Sequence, residues 1–361
     1  MNDPSRVDRI DVLRGLAIVA VALYHAVGAS TGWDLPWDGW VRDTAALGLP
    51  RTLGLHLVLQ GWIGVPLFFV LSGFCIHYGF LRSNRPFDPA DFFRRRFWRI
   101  YPAYAVALLA AVAYQIRTHV LNLSVPADQW QVLSHLLLLQ NLTPSTLYGI
   151  VSAFWSIAVE FQLYLLYPLL LRLRTRFGIA NTLAATAVLS LIAKSFLIGI
   201  DGLPDRIPPV GVQGLISHWF DWTLGAWVAE RFITGKRVFQ YPTVAAWGWL
   251  AAAFLSTWFK PLLVLSFSLF AIGFAALLEA LLQKPTPLTL PTRCLSFIGL
   301  ISYSLYLWHQ PLQTRLHALF NRAVPSPAAW FLGTLTLIAI GWLLYRLIEV
   351  PATRHGRRSI T

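Results

Sequence analysis

Charge is what this 361-residue sequence has least of: Lys, Arg, Asp and Glu together make up 12% of it, against about 25% in a soluble domain. That scarcity, with 56% hydrophobic residues, excludes an ordinary water-soluble fold and identifies an integral membrane protein. Cysteine is nearly absent. Cys75 and Cys294 are the only two, each in or beside an apolar segment, which argues against a disulfide framework and reads both as small buried hydrophobes. Missing too is any connection long enough to fold on its own, so residues 1–361 read as a single membrane-embedded domain. No small-residue cleavage site follows Tyr24 and His25, and the first apolar segment is expected to be retained rather than removed as a signal peptide. No internal repeat or low-complexity tract is evident. The histidines are scattered without ligand spacing, and a metal site has no support.

What is present is a series of long apolar runs. Ten lie near residues 10–29, 60–81, 101–116, 152–171, 178–199, 211–230, 243–259, 261–282, 295–314 and 327–350, each close to the roughly 20 residues a spanning helix needs. An eleventh, WQVLSHLLLLQNL at 130–142, is short and reads as re-entrant or interfacial. The formal charge of +13 is concentrated in alternate connections. With ten spans and a cytoplasmic N-terminus, the Arg82–Arg99 and Arg172–Arg176 clusters fall inside, and few basic residues fall outside. Counting 130–142 as a span would invert that distribution. The expectation is therefore an all-α polytopic protein of about ten transmembrane helices with both termini cytoplasmic.

The ionisable residues inside these runs are costly, about 2.5–3.5 kcal/mol each at a helix centre on insertion scales, and they are not randomly placed. In VLRGLAIVAVALYHAV, Arg14 and His25 lie eleven positions apart, about three turns and about 16 Å of rise, which returns them to nearly one face. Glu160 in AFWSIAVEFQLYLLYP, Asp221 in HWFDWTLGAW and His309 in SYSLYLWHQP share the outer half of the expected membrane with His25. Near the inner boundary, Arg14 is joined by His77 and by Arg94, Arg95, Arg96 and Arg99. A basic inner vestibule leading to an acid-and-histidine site suits a polyanionic cytosolic donor and an extracytoplasmic acceptor. Bland readings stand beside each of these. The arginine run also suits a topogenic loop binding lipid headgroups, Arg14 can pair with Asp11, Asp221 can be interfacial, and Lys194 reads as snorkelling outward. His56, His119, His135, His218 and His317 read as ordinary surface or interface histidines.

At these residues the sequence resembles membrane acyltransferase family 3, polytopic acyltransferases that modify extracytoplasmic sugars. RIDVLRGLAIVAVALYH (9–25), GVPLFFVLSGF (64–74), RRFWRIYP (95–102), FWSIAVEFQLYLLYP (154–168), SYSLYLWHQP (302–311) and YRLIEVP (345–351) follow one another in the family's order. Pro66 departs from the acidic or polar residue often found at that point of the second segment. The resemblance implies that His25 is the catalytic base, that Glu160 and His309 complete the catalytic site, and that Arg14, Arg96, Arg99 and His77 serve the donor. It further implies acyl-CoA, acetyl-CoA first, as the donor, with no metal. The implied partners are a carbohydrate or glycolipid acceptor and membrane lipids, with a separate acyl-accepting protein as an alternative relay; no nucleic acid is expected. A bacterial inner membrane is the expected location. The chain ends shortly after YRLIEVP, so a stand-alone form without a fused SGNH domain is expected. The competing function is a proton-coupled transporter or flippase using the same intramembrane His, Glu and Asp groups.

Overall fold

The structure, a computed structural model, describes residues 4–31, 44–201, 214–259, 262–283 and 288–357. All regular secondary structure among the described residues is helical, and turns and short extended segments connect the helices. The helices are α1 (Pro4–Thr31), α2 (Leu49–Leu59), α3 (Gly64–Ser83), α4 (Pro89–Arg117), α5 (Pro126–Leu136), α6 (Trp155–Phe177), α7 (Ile179–Asp201), α8 (Leu215–Ile233), α9 (Pro242–Ser256), α10 (Leu263–Gln283), α11 (Leu290–Leu300), α12 (Ser302–Phe320), α13 (Ser326–Leu344) and α14 (Val350–Arg357). A single π-helical turn, Tyr345–Glu349, joins α13 to α14.

Among the described residues, seven helical stretches are long and apolar enough to cross a membrane: Asp8–Gly28, Leu49–Ser83, Pro89–Arg117, Ser152–Phe177, Ile179–Phe196, Leu263–Gln283 and Ala328–Arg357. The expected runs at 211–230, 243–259 and 295–314 do not meet that measure. Helix α9 has 15 residues, about 22 Å of rise, well short of a roughly 30 Å hydrocarbon core. The run at 295–314 is two helices broken at Ile301. Residues 130–142 form the end of the 11-residue α5 and a 3-10 turn, Gln140–Leu142, again too short to span.

The chain divides into two compact units, one comprising residues 1–86 and 166–300, the other residues 87–165 and 301–361. In the first, α3 packs along α8, α1 along α11, and α9 along α10. Two of these crossings depend on glycine. A Cβ on Gly73 would overlap the Trp222 carbonyl, and one on Gly225 would overlap the Val70 carbonyl, so α3 and α8 touch backbone to backbone. Gly15 and Gly299 do the same for α1 and α11, against the carbonyls of Leu295 and Asp11. In lipid no hydrophobic force separates helix–helix from helix–tail contact, and close packing of small residues supplies the van der Waals attraction that brings helices together. Ser72 sits at the same crossing and accepts a hydrogen bond from Trp222 Nε1 at 3.2 Å, as a packing residue should.

In the second unit α12 packs on α13, and α14 on α4. Asp88 caps α4 through the backbone N–H groups of Ala90 and Asp91, satisfying two of the donors a helix start leaves open. At α14, Gly356 lies against Trp98, and the His355 ring meets the same indole at 4.3 Å between centroids. The two cysteines differ from expectation: Cys75 is half-buried and Cys294 exposed.

Candidate active site

The seven residues singled out by sequence fall in both units: Arg14, His25 and His77 in the first, Arg96, Arg99, Glu160 and His309 in the second.

In the first unit, Arg14 donates to Asp11 Oδ1 at 2.8 Å, one turn back on α1, and to Cys75 Sγ on α3 at 3.3 Å. The bland pairing with Asp11 is thus realised, and it also aims the guanidinium at α3. His25 lies three turns on, with Nδ1 2.9 Å from the Val21 carbonyl. Because a carbonyl can only accept, Nδ1 carries the proton and Nε2 carries the lone pair. The Tyr24 ring meets the imidazole edge-on at 5.1 Å. His77 is fully buried, with Nδ1 3.1 Å from the Tyr167 hydroxyl and Nε2 3.7 Å from Glu230, whose carboxylate is also bound by Arg174. His77 is therefore held inside a network instead of standing at an open vestibule.

The first unit also contains a buried polar chain that the sequence reading missed. Lys194 Nζ donates to Ser268 Oγ at 2.6 Å, Ser268 Oγ donates to Asp221 Oδ1 at 2.9 Å, and His218 Nδ1 lies 2.9 Å from Asp221 Oδ2. Lys194, His218 and Asp221 are all at or below 1% exposed, so Lys194 does not snorkel, Asp221 is not interfacial and His218 is not a surface histidine. His56 and His135 are likewise buried. For Lys194, Asp221 and His218 the physical reason is shared: α7, α8 and α10 supply the partners, so the charge is satisfied inward and gains nothing by reaching water.

In the second unit the arginine run separates into distinct environments. Arg94 and Arg95 both pair with Asp91 on their own helix. Arg99 pairs with Glu349 of the π turn, whose other oxygen accepts from Ser304 Oγ at 2.8 Å. Glu349 is fully buried, and Tyr303, beside the Arg99 guanidinium, donates to the Ile100 carbonyl at 2.8 Å. Arg99 is thus a brace linking α4, α12 and the π turn. Arg96 alone of the four makes no ion pair among the described residues. Its guanidinium lies 5.9 Å from the ring centroids of both Phe92 and Tyr164, and its Nε is buried without a hydrogen-bond partner. The Tyr164 hydroxyl donates to Glu160 Oε1 at 2.6 Å, so Arg96, Tyr164 and Glu160 form one cluster.

His309 is fully buried, with Nδ1 2.7 Å from the Tyr306 carbonyl, the same back-bonded arrangement as His25. The Tyr306 hydroxyl and Ser156 Oγ share a 2.6 Å hydrogen bond, and Gln310 is fixed by Ser152 Oγ and the Ala153 N–H. In both histidines the Nδ1 contact to a backbone carbonyl makes Nδ1 the donor, so the neutral ring carries its lone pair on Nε2.

The sequence profile of a family described as an acyltransferase domain matches residues 7–346. The chain belongs to acyltransferase family 3. Among curated proteins, this acyltransferase is 26% identical, over 97% of its length, to the peptidoglycan O-acetyltransferase OatA of Listeria monocytogenes. It is 21% identical, over 99% of its length, to the O-acetyltransferase OatA of Staphylococcus aureus. The chain spans 56% of the first relative's length and 59% of the second's. No solved structure matches it.

Proposed function

We propose that this family member is a membrane O-acyltransferase that moves an acetyl group from cytosolic acetyl-CoA to a hydroxyl of an envelope carbohydrate. The observation that carries the reading is the Nδ1 bond from His25 to the Val21 carbonyl, which fixes the tautomer a general base requires. In the reaction, the acceptor hydroxyl gives its proton to His25 Nε2 as its oxygen attacks the thioester carbonyl carbon. The C–S bond then breaks, and the imidazolium returns the proton to the departing thiolate. Arg96 serves as the donor-phosphate contact because its charge is not already spent on a carboxylate. Glu160 holds Tyr164 under that guanidinium, and His309 provides a second neutral imidazole. Arg14 and His77 support the donor side by positioning. The relatives described as acetyltransferases of peptidoglycan make the cell-wall glycan the first acceptor to test.

The test compares glycans, with and without mild alkaline de-esterification, by mass spectrometry from a deletion strain rescued with wild type or with equally expressed His25→Gln. A base-labile acetyl restored by wild type alone is the expected result; identical glycans in all strains refute the reading. The Lys194–Ser268–Asp221–His218 chain favours a second reading, a proton-coupled transporter or flippase. That reading predicts substrate movement without release of free CoA.

A further inference from the structure

Within the second unit, a cavity of about 460 Å³ lies between α4 and the part of α12 that carries Trp308, Gln310 and Pro311, inside the range of about 300–1,000 Å³ typical of small-ligand sites. Its floor is one face of α4, where Ala107, Ala110 and Ala111 leave the wall recessed, and Tyr114 and Gln115 follow one turn later on the same face. The opposite wall includes Trp308 and Gln310, the two neighbours of His309 in sequence, and Tyr148 stands at the rim. Neither the fold nor the proton chemistry derived above uses this space.

We propose that this cavity is the acceptor subsite and holds one sugar ring of the glycan; the proposal rests on the O-acyltransferase reading. Its lining has the chemistry of carbohydrate recognition, aromatic faces for the C–H surface of a sugar ring and rigid amides for its hydroxyls. Both amides are fixed. Gln310 is held by Ser152 and Ala153, while Gln115 donates through Nε2 to the Ile150 carbonyl at 2.8 Å. That bond leaves Gln115 Oε1 buried with no hydrogen-bond partner, an acceptor waiting for an O–H donor, and a buried polar atom is expensive to leave unmatched. Arg315, 3.9 Å from the Tyr114 ring centroid, closes the edge. A lipid tail would meet these polar groups without satisfying them.

Placement along α4 agrees. Arg96 and Tyr114 are 18 residues apart on one helix, about 27 Å of rise. Acyl-CoA carries its phosphates at one end and its thioester at the other end of an extended pantetheine arm. A phosphate contact at Arg96 and a sugar in the cavity against Tyr114 therefore belong at separate points along this helix.

The experiment uses full-length protein in nanodiscs, radiolabelled acetyl-CoA, and unacylated glycan strands isolated from the deletion strain. Base-labile label on the strands is the readout. Ala111→Leu fills the floor without removing any polar group, and Trp308→Ala removes a ring. Each is expected to raise KM for the strands about tenfold while KM for acetyl-CoA stays within about twofold, the scale of a lost aromatic contact. Trp308→Phe, which keeps a ring, is expected to recover most of that loss and serves as the folding control. An unchanged acceptor KM in both cavity variants overturns the subsite and leaves the acyltransferase reading standing. Transfer of no label by wild type refutes that reading and takes the subsite with it. A loss that disappears when the nanodisc lipid is changed assigns the cavity to lipid and overturns the proposal.

Discussion

Arg96 and Arg99 lie one turn apart in a single basic run, and disrupting the contacts of each should have opposite consequences. Arg99 and Glu349 form an ion pair in which the carboxylate is wholly buried and the guanidinium is 36% exposed. Removing one member of a fully buried pair costs about 3–5 kcal/mol. Because Arg99 can turn partly into solvent, Glu349→Gln is expected to cost less, about 2 kcal/mol. At about 2–4 °C per kcal/mol for chains of a few hundred residues, Tm falls by roughly 4–8 °C. The donor KM should move by no more than about twofold, since the pair braces helices and leaves little charge for a ligand. Arg96→Gln removes a guanidinium that makes no ion pair among the described residues, so Tm should fall by less than in Glu349→Gln, by about 2–4 °C for a lost cation–π contact of about 1 kcal/mol. If that guanidinium meets a phosphate, the loss is that of a charged hydrogen bond, about 1.5–3 kcal/mol, and KM for acetyl-CoA rises about 10- to 100-fold. Intrinsic tryptophan fluorescence during heating gives Tm, and thiol release from acetyl-CoA gives KM, both on the same nanodisc preparations. A salt series adds a further check: donor KM should climb with ionic strength in wild type and climb less in Arg96→Gln. The assignment is wrong if Glu349→Gln raises donor KM at constant Tm, or if Arg96→Gln lowers Tm and leaves KM alone.

Burial lowers the His135 pKa to about 4. Its unfolded form titrates at about 6.5, so the unfolded state binds the extra proton between those values, and stability present above pH 6.5 is lost as pH falls toward 4. Wild type should therefore lose several degrees of Tm between pH 7 and pH 5, and His135→Gln should lose less; equal losses in the two proteins would count against this account. In the buried chain of the first unit, Lys194→Met strands the Asp221 carboxylate and should cost about 3–5 kcal/mol. The double variant Lys194→Met/Asp221→Asn should recover much of that, and a double variant no better than the single would show that the two groups are not coupled. At the α3–α8 crossing, Gly225→Val drives a side chain into the Val70 carbonyl and should abolish the folded protein or drop Tm by more than about 5 °C, whereas Gly248→Val, with open space around its position, should change it little; comparable yields and melting for the two would refute a close backbone crossing.

The sequence reading succeeded where information is local. The eleven-residue spacing of Arg14 and His25 lies within one helix, and a helical period is enough to place both on one face. The short run at 130–142 is too short to span by arithmetic alone. Failures came where the partner is remote. Lys194 finds Ser268 and, through it, Asp221, across 74 and 47 residues of sequence, and nothing near Lys194 signals that its charge is answered inward. Glu349 stood in plain view within YRLIEVP, but its role depends on Arg99, 250 residues earlier. The break at Ile301 escaped notice because the apolar run at 295–314 continues through it. A hydropathy pattern counts residues and does not register that α11 packs with α1 while α12 packs with α13.

These remote pairings also supply a criterion for separating structural charge from functional charge in the membrane. A burial cost has to be offset by something, and for most of the ionised side chains described above the partner is visible: Asp11 for Arg14, Asp91 for Arg94 and Arg95, Glu349 for Arg99, Glu230 for Arg174. Within the run at 94–99 Arg96 is the one arginine without an ion pair among the described residues, and it lies against the rings of Phe92 and Tyr164. A cation–π contact contributes about 0.5–2 kcal/mol, less than a well-made buried ion pair. Under the proposed function, a donor phosphate would supply the opposite charge that Arg94, Arg95 and Arg99 already find in carboxylates. The proposed role of His25 as base rests on a similar local observation. An imidazole whose Nδ1 donates to a carbonyl on its own helix is oriented by that bond, and in its neutral form it carries the lone pair on Nε2, the tautomer that the proposed acyl transfer uses.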